Sequence, residues 1–258
     1  MGLFDLPAPV FSAIDGMLES LIPPALRLVL WGIFAGWLTM LAYRLFSNQE
    51  RIGEIKAEQK LKTTAIAEFD GEFMELLPIV RHALALGFRQ LGLALGPALL
   101  ASIPILFIVI WVAGEFAYQA PEPGSEVRVR AEPANSDIQW SSAPETWIPD
   151  NANNEIGWLI EWPSEGQPLT LSDCREAILE LPLAHDVPII HKKRWWNLLM
   201  ANPIGYLPEG GVTDVVHIEL PEQTIIGAGP GWVRGWMFSF FMTLLLSSVG
   251  FKLLFRLD

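Results

Sequence analysis

Hydroxyl-bearing side chains recur at helical spacing inside the most apolar stretches of the chain, where polar groups are costly. In the last of these stretches Ser239, Thr243 and Ser247 are four residues apart, which places them along one side of a helix. The first and second stretches carry Thr39 and Ser102, each near glycines. Small and hydroxyl-bearing residues are typical of close helix packing in membranes. They could equally line a polar groove, which would lower the cost of bringing a polar segment partway into the bilayer.

Three arginines stand at the ends of the same apolar stretches. Arg27 precedes the first stretch, Arg44 follows it, and Arg89 precedes the second. If a groove is present, Arg44 and Arg89 would give its cytoplasmic mouth a positive potential, and Arg27 would lie at its far end. The candidate residues of such a groove are therefore Arg27, Thr39, Arg44, Arg89, Ser102, Ser239, Thr243 and Ser247.

The chain has no sequence pattern that is specific for catalysis or for a cofactor. A phosphate-binding loop, a dinucleotide-binding glycine pattern, a nucleophile elbow, the HExxH zinc motif and CxxC pairs are all absent. His185 and His191, with Asp173 and Cys174 upstream, match no standard spacing of metal ligands. Because Cys174 is the only cysteine, no disulfide can form within the chain. We therefore expect no enzyme activity, no metal, no cofactor and no nucleic-acid binding.

Charge is distributed unevenly along a chain that is otherwise rich in apolar residues. Of the 258 residues, 51% are hydrophobic and 18% are charged, and the mean hydropathy is +0.33. Residues 115–232 contain 18 acidic and 6 basic residues, so they account for the whole net charge of −12. An acidic middle between apolar ends indicates a water-exposed domain held by membrane segments.

Three apolar runs are candidates for membrane-spanning helices, residues 28–43, 91–114 and 235–251. A helix needs about 20 residues to cross the hydrocarbon core. The first and third runs reach this length with their flanks, because arginine and lysine can snorkel to the surface. Buried helices of a protein core are the alternative, but the charges stand at the ends of the runs, as membrane helices require. The predicted membrane segments are residues 24–46, residues 91–114, and residues 233–258 with a cytoplasmic C-terminus.

Basic residues near the helix ends predict the orientation of the chain. One side of the membrane would collect Arg44, Arg51, Lys56, Lys60, Lys62, Arg81, Arg89, Lys252 and Arg256, and the other Arg27, Arg128, Arg130 and Arg234. Since the side richer in lysine and arginine is cytoplasmic, we expect the N-terminus outside, residues 47–90 inside, residues 115–232 outside and the C-terminus inside. The expected location is a plasma membrane, namely the inner membrane of a bacterium.

Two further segments have helical patterns. In residues 1–23 apolar side chains recur on one helical face, which favours an interfacial amphipathic helix on the outer surface. A helix packed on the outer domain is the alternative. Residues 47–90 contain two amphipathic segments joined by a turn at 69–71, which predicts a cytoplasmic helical hairpin. A solvated linker is the alternative, and Pro78 is expected to kink or restart the second arm.

Residues 115–232 have the short alternating runs and the turn residues of a mainly-β, sandwich-like domain. Within them, SDCREAILELPL predicts a short helical turn, and the segment that starts with KRWW predicts a helix followed by a turn. Trp195, Trp196 and Tyr206 are candidates for the core, for the membrane surface or for contact with a partner. The predicted fold class is an α-helical membrane protein with three transmembrane helices and a cytoplasmic helical hairpin, into which an extracytoplasmic β-rich domain is inserted.

Two stretches resemble a known family in their character and order. The charged NQERIGEIKAEQKLK follows the first membrane helix, and GPALLASIPILFIVIWV belongs to the proline-containing second one. With the three-helix order, they resemble the YidC/Oxa/Alb superfamily of membrane-protein insertases. The resemblance is strongest to its three-helix branch, which includes the archaeal YidC-like proteins and the insertase subunit of the endoplasmic reticulum membrane complex. It covers residues 24–114 and 233–257.

This chain departs from that family in three respects. The hairpin is shorter and less basic than in the bacterial insertases. The outer domain is much longer than the usual connection between the second and third helices. The groove arginine of the bacterial proteins lies within the first core helix, whereas Arg27 stands near the outer end of the corresponding run.

The resemblance implies a membrane-protein insertase or chaperone that eases hydrophilic segments of client proteins across the membrane without a cofactor. Its partners would be newly made membrane proteins, the ribosome that delivers them and the lipid bilayer. The alternative is a non-catalytic structural or assembly subunit of a larger membrane complex, whose outer domain would bind one fixed partner.

Overall fold

The structure is a computed structural model of the chain, and it describes residues 2–71, 73–133, 138–142, 145–147, 156–164, 166–173, 176–199 and 202–255. Cys174 and Arg256, which figured in the predictions above, lie outside these ranges. The chain forms two compact units. The first unit consists of Met1–Val29 and Phe107–Phe240, and the second unit consists of Leu30–Leu106 and Phe241–Asp258.

Helices form the N-terminal part and the C-terminal end of the described chain. They are a 3-10 helix at Leu3–Asp5, α1 (Ala8–Glu19), α2 (Pro24–Phe46), α3 (Gln49–Ala67), α4 (Phe73–Phe116), α5 (Gly231–Arg234) and α6 (Trp236–Phe255). Three helical stretches, Pro24–Phe46, Met74–Phe116 and Trp236–Phe255, are long and apolar enough to cross a membrane. The chain is on this ground a multi-pass membrane protein.

Helix α4 is one continuous helix of 44 residues, although Pro78, Pro97 and Pro104 lie inside it. The sequence predicted a kinked or restarted hairpin arm and then a separate membrane helix. A proline disrupts only its own turn of a helix, and prolines are tolerated in membrane helices, while the leucine-rich and alanine-rich stretches between them favour helix. At 1.5 Å per residue the helix is about 66 Å long. Because the hydrocarbon core is about 30 Å thick, α4 must extend well beyond it.

Eight strands in the described part of the chain form two antiparallel sheets between α4 and α5. They are β1 (Glu126–Glu132), β2 (Ile138–Trp140), β3 (Glu145–Trp147), β4 (Ile156–Glu161), β5 (Leu169–Asp173), β6 (Glu176–Leu181), β7 (Ile189–His191) and β8 (Val215–Ile218). One sheet has the strand order β3-β4-β1-β8-β7 and the other β2-β5-β6.

Strand β6 corrects one local prediction. The sequence SDCREAILELPL predicted a short helical turn, but its residues Glu176–Leu181 form β6, which pairs with β5 along Leu169–Leu181 and Leu171–Leu179. Leu179 and Leu181 are buried and Glu180 is exposed. This period of two matches a strand with one covered face, and pairing with β5 overrides the local helix propensity. The segment after KR, predicted as a helix and a turn, begins with a 3-10 helix at Trp195–Leu198.

The two sheets share one apolar core. Val127, Val129 and Ala131 of β1 are buried and alternate with more accessible neighbours, as expected for a strand that faces water on one side. Trp140 of β2 and Trp158 of β4 meet edge to face, with ring centroids 6.0 Å apart, and both belong to this core. Long-range contacts of large rings therefore join sheets whose strands are individually short.

His191 gives the five-stranded sheet a predicted dependence on pH. The side chain is half-buried, and burial, with a smaller effect of the neighbouring His217, lowers the pKa of His191 below its usual value. Between this lowered pKa and the usual value, the unfolded chain binds more protons than the folded chain. His191 therefore makes a contribution to the free energy of unfolding that increases with pH across this window. This contribution is fully present above the usual pKa and is lost as the pH falls through the lowered pKa.

As the pH rises through the window between the lowered and the usual pKa, we expect His191 to contribute a rise in the thermal unfolding midpoint of the purified protein. The rise should be smaller in His191→Gln, because glutamine takes up no proton in this range. An equal rise in both proteins would contradict this origin of the pH dependence.

Candidate functional site

The crossing of α2 and α6 in the second unit contains part of the predicted hydroxyl stripe. A Cβ added at Gly36 would overlap Ser247 Oγ and would lie 3.0 Å from both the Leu244 carbonyl oxygen and Ser248 N. The Ser247 hydroxyl is within donating distance of the carbonyl oxygens of Leu244, at 3.0 Å, and Gly32, at 3.3 Å. Small residues therefore let the two helices approach closely, as in other pairs of membrane helices.

Other hydroxyls of the predicted site bond to their own helices. Thr39 Oγ1 donates to the Ala35 carbonyl oxygen at 2.6 Å, and Ser102 Oγ donates to the Leu99 carbonyl oxygen at 2.7 Å. Such bonds satisfy the hydroxyl donor within the helix and leave oxygen lone pairs for a second partner. Thr39, Ser102 and Thr243 are all half-buried, so each is accessible in part.

The predicted arginines have different surroundings. Arg44 and Arg89, in the second unit, are exposed. The Arg44 guanidinium lies 5.7 Å from the centre of the Phe255 ring on α6, which is a cation–π distance. Arg27 and the half-buried Ser239 belong to the first unit, and Arg27 is only 5% exposed.

Arg27 forms a buried ion pair near the start of α2. Its Nη1 is 2.6 Å from Asp15 Oδ2, and its Nη2 is 3.6 Å from Glu19 Oε1, both on α1. The guanidinium also lies 5.4 Å from the centre of the Phe116 ring at the end of α4. Because a buried charge has to be paired, this cluster fixes α1 against the adjoining ends of α2 and α4.

Helix α1 turns its apolar face outward and its polar side inward. The exposed apolar side chains, 47–76% accessible, are Val10, Ile14 and Met17 on α1 and the flanking Leu6 and Leu21. On the inner side Asp15 is buried, and Ser12 Oγ accepts the Trp111 indole N–H at 2.9 Å. This arrangement is the reverse of a water-soluble helix and is typical of a helix that lies in a membrane interface. One face of the segment is packed on the protein and the other is exposed, and its place at a membrane surface stays a prediction.

The three aromatic residues singled out in the sequence do not share one role. Trp195 is 85% exposed, and Trp196, 45% exposed, contacts the His191 ring edge to face at 6.2 Å. Tyr206 is half-buried, and its hydroxyl donates to the Asn197 carbonyl oxygen at 3.1 Å. Burial raises the pKa of Tyr206 above its ordinary value, so the hydroxyl stays protonated. Trp195 and Trp196 therefore form an exposed surface. Tyr206 instead stabilises the adjoining segment through its hydrogen bond to Asn197.

The charged segment after α2 forms a helix that contacts the beginning of α4 in the second unit. Glu58 Oε1 lies 3.0 Å from His82 Nε2, and a Cβ added at Gly87 would lie 3.3 Å from Gln59 Nε2. Ile52 and Ile55 of α3 and Leu86 of α4 are buried. Glu58 and His82 are equally far from the facing ends of α3 and α4, as expected for two antiparallel helices of a hairpin.

A cavity in the first unit was not predicted from the sequence. Its volume is about 430 Å³, and it is lined by α1, by the last turns of α4 and by the segment after β6. Glu115, His185 and Asp186 face it among mostly apolar neighbours. The one signal in the sequence is Glu115, an acidic residue that directly follows the apolar run 91–114.

Neither metal ligands nor known relatives identify the site. Among the residues that the structure describes, no group of three or more His, Cys, Asp or Glu side chains is arranged to hold a metal ion. No protein-family model, no curated protein and no solved structure matches the chain. The interpretation of the site therefore rests on the chemistry of its own residues.

Replacing Arg27 by glutamine should destabilise the protein strongly, because Asp15 would stay buried without its partner. Loss of one member of a buried ion pair costs about 3–5 kcal/mol. We expect Asp15→Asn to be similarly harmful and the double variant to recover part of the loss. Thermal unfolding in detergent measures this, with the exposed Arg234→Gln as control. Fully additive losses in the double variant would show that the two side chains do not act as a pair.

Alanine at Gly36 and alanine at Gly92 should have opposite effects on stability. Alanine favours a helix over glycine by about 1 kcal/mol, and a Cβ at Gly92 meets nothing within 4 Å. Gly92→Ala should therefore be neutral or stabilising. Gly36→Ala forces α2 away from Ser247, and overpacking of this kind costs about 1–3 kcal/mol. Equal unfolding midpoints for the two variants would argue against a tight α2–α6 crossing.

Proposed function

We propose that the protein is a membrane-protein insertase or membrane chaperone that eases hydrophilic segments of client proteins across a bilayer. The observation that supports this most directly is α4. Its first part contacts the charged α3 in a hairpin, and its later part is apolar enough to cross a membrane. An element that could receive a client outside the bilayer is thus continuous with a spanning helix. The same order of elements carries the resemblance to the three-helix insertases.

Apolar side chains on the spanning helices of the second unit are widely uncovered. Those that are 45–61% exposed include Leu95, Leu99 and Leu106 on α4 and Leu245 and Val249 on α6. In a bilayer such faces contact lipid, and an apolar client helix can replace that lipid at little cost, because hydrocarbon chains and leucine are equally apolar. This property suits contacts that form and dissolve with each client.

Polar side chains of the same unit would serve the hydrophilic part of a client. Thr39 and Ser102 are half-buried, and their hydroxyl oxygens keep acceptor lone pairs beside the bonds that they donate within their helices. Arg44 and Arg89 are exposed. Backbone N–H groups of a crossing segment need acceptors inside hydrocarbon, and acidic client residues would be drawn to the arginines. Burial of the client's own apolar segment supplies the driving force, so this mechanism uses no nucleotide.

In this function α3 and the first part of α4 face the cytoplasm, whereas the N-terminus and the two sheets lie outside. The excess of basic residues on one side supports this orientation, with Arg51, Lys56, Lys60 and Lys62 on α3 and Lys252 on α6. A bacterial plasma membrane is the proposed location, because newly made membrane proteins and ribosomes meet there.

A second candidate function is that of a structural or assembly subunit in a larger membrane complex. Trp195 favours it, because an indole that is 85% exposed leaves a large apolar area uncovered. Exposed tryptophans are enriched at protein interfaces and often dominate binding energy. In this function the sheets would hold one permanent partner, and the hydroxyls of the helices would serve only helix packing.

Site-specific photo-crosslinking in cells separates the two functions. Probes would replace Thr39, Thr243 and Trp195, one in each strain. For an insertase we expect many adducts with newly made proteins at Thr39 and Thr243, and these adducts should disappear during a chase with unlabelled amino acids. A single stable adduct of fixed mass at the two helix positions would contradict client handling. The same result at Trp195 would support the subunit function.

Removing the charges of Arg44 and Arg89 should slow client insertion. The double variant Arg44→Gln/Arg89→Gln loses the positive potential that would attract acidic client segments, and we expect insertion to be about tenfold slower. The measurement is the rate at which a client with an acidic N-terminal segment becomes protected from protease in vesicles. Arg44→Lys/Arg89→Lys keeps the charge and should insert at the normal rate, and unchanged insertion in the glutamine variant would count against a charged groove.

A further inference from the structure

The cavity of the first unit has the layout of a binding site for an amphiphile. Its volume of about 430 Å³ lies within the range of ordinary small-molecule sites. Trp111 and Ala113 form part of one wall, and Pro188 forms part of another. The Trp111 ring is held in place because its N–H donates to Ser12 Oγ and Phe11 packs against it at 5.6 Å. These contacts fix the apolar part of the cavity in advance.

The polar part of the cavity has an excess of acidic groups. Glu115, His185 and Asp186 line it together with Asp5. Asp5 is already satisfied, since Asp5 Oδ2 accepts the backbone N–H groups of Gly2, at 2.8 Å, and of Asn202, at 2.6 Å. The carboxylates of Glu115 and Asp186 keep acceptor capacity, although a backbone N–H at Ala120 bonds to Asp186.

The charges around Glu115 do not neutralise it. Those that act on it are Asp15, His185, Arg27 and Glu19. Arg27 is bound to Asp15 and lies beside Glu19, so this group as a whole remains negative. His185, an exposed imidazole, is the one further candidate for a positive charge. A cation is therefore the ligand charge that the cavity favours.

The apolar and acidic parts follow each other in the order that a membrane surface requires. Ile110 and Trp111 lie one turn before Glu115 on α4, and Glu115 stands at the end of a helix that is apolar enough to span a membrane. Helix α1, which forms another wall, exposes an apolar face. A ligand that fills this cavity would have its chain beside Trp111 and its polar end beside Glu115 and Asp186.

We propose that this cavity binds the headgroup and the first chain atoms of a phospholipid with a primary ammonium group, such as an ethanolamine phospholipid. The ammonium offers three N–H donors to the Glu115 and Asp186 carboxylates, and charge-assisted hydrogen bonds of this kind are strong. His185, which also lines the cavity, can donate a ring N–H to the lipid phosphate. A trimethylammonium headgroup has no N–H to donate, and an uncharged or anionic headgroup lacks the cation.

The burial of Asp186 agrees with the charge that the cavity geometry favours. It raises the pKa of Asp186 above its ordinary value, which means that the ionised carboxylate is held at a cost. A bound ammonium offsets that cost. This lipid site does not depend on client handling, so it stands or falls separately from the proposed function.

The test uses the full chain, purified in a mild detergent and mixed with equal amounts of ethanolamine, choline and glycerol phospholipids that have identical acyl chains. Native mass spectrometry counts the lipids that stay bound. We expect the ethanolamine lipid to be retained about tenfold more than the choline lipid, because hydrogen bonds to a charged group are lost with the methylated headgroup. Equal retention of the three lipids would overturn the proposal.

Two kinds of variant assign the bound lipid to this cavity. Glu115→Gln/Asp186→Asn keeps the shape of the site and should abolish the preference for the ethanolamine lipid, whereas the exposed Glu180→Gln should keep it. Gly114→Leu should fill the cavity without strain, since a Cβ there meets nothing within 4 Å, and the bound lipid should be lost. Gly92→Leu makes the same change on α4 outside the cavity, and this variant should retain the bound lipid. A preference that survives Gly114→Leu would place the lipid elsewhere and overturn the proposal.

A free alkylamine carries the same ammonium chemistry as the lipid. Dodecylamine should compete with the ethanolamine lipid, and dodecanol should not. Binding of dodecylamine without any binding of the lipid would show that the site takes a soluble amine, and the proposed lipid would then be wrong.

Discussion

The ion pair between Arg27 and Asp15 is the constraint on which the first unit depends. Two charges are removed from water there, at a desolvation cost of several kcal/mol for each ion in a typical protein interior. The cost is offset only if α1 stays in place, because Asp15 is on α1 and Arg27 is at the start of α2. The Phe116 ring beneath the guanidinium extends the same requirement to the end of α4. The inward direction of Asp15 also explains why α1 can leave its apolar side uncovered.

Local patterns made some of these elements predictable and hid others. An apolar run between Pro24 and Ser47 and a charged run after Asn48 determine α2 and α3, since each pattern is complete within its own segment. The continuity of α4 was missed because proline is a strong local signal, whereas the stretches that carry the helix past it act over many turns. Strand β6 was missed for the same reason, since EAILEL favours a helix locally and becomes a strand only beside β5.

The candidate site shows the same division between local and distant information. Hydroxyl spacing on α6 was visible in the sequence, but the close approach of Gly36 to Ser247 depends on two helices that are far apart in the chain. Arg27 was placed with the other helix-end arginines because its partner on α1 could not be recognised from spacing. The cavity beside Glu115 combines four separate segments, so no single stretch of sequence predicts it.

The prolines of α4 have a consequence for the bilayer around this helix. A proline has no N–H, so the carbonyl groups four residues before Pro97 and Pro104, those of Leu93 and Leu100, have no N–H at that position to accept. The two carbonyls are seven residues apart, which places them on the same side of the helix, about 10 Å from each other. Inside hydrocarbon, carbonyl groups that lack their helical N–H partner attract water or a donor side chain. This apolar helix thus has two potential hydration sites on the same side, at which water can enter the apolar layer.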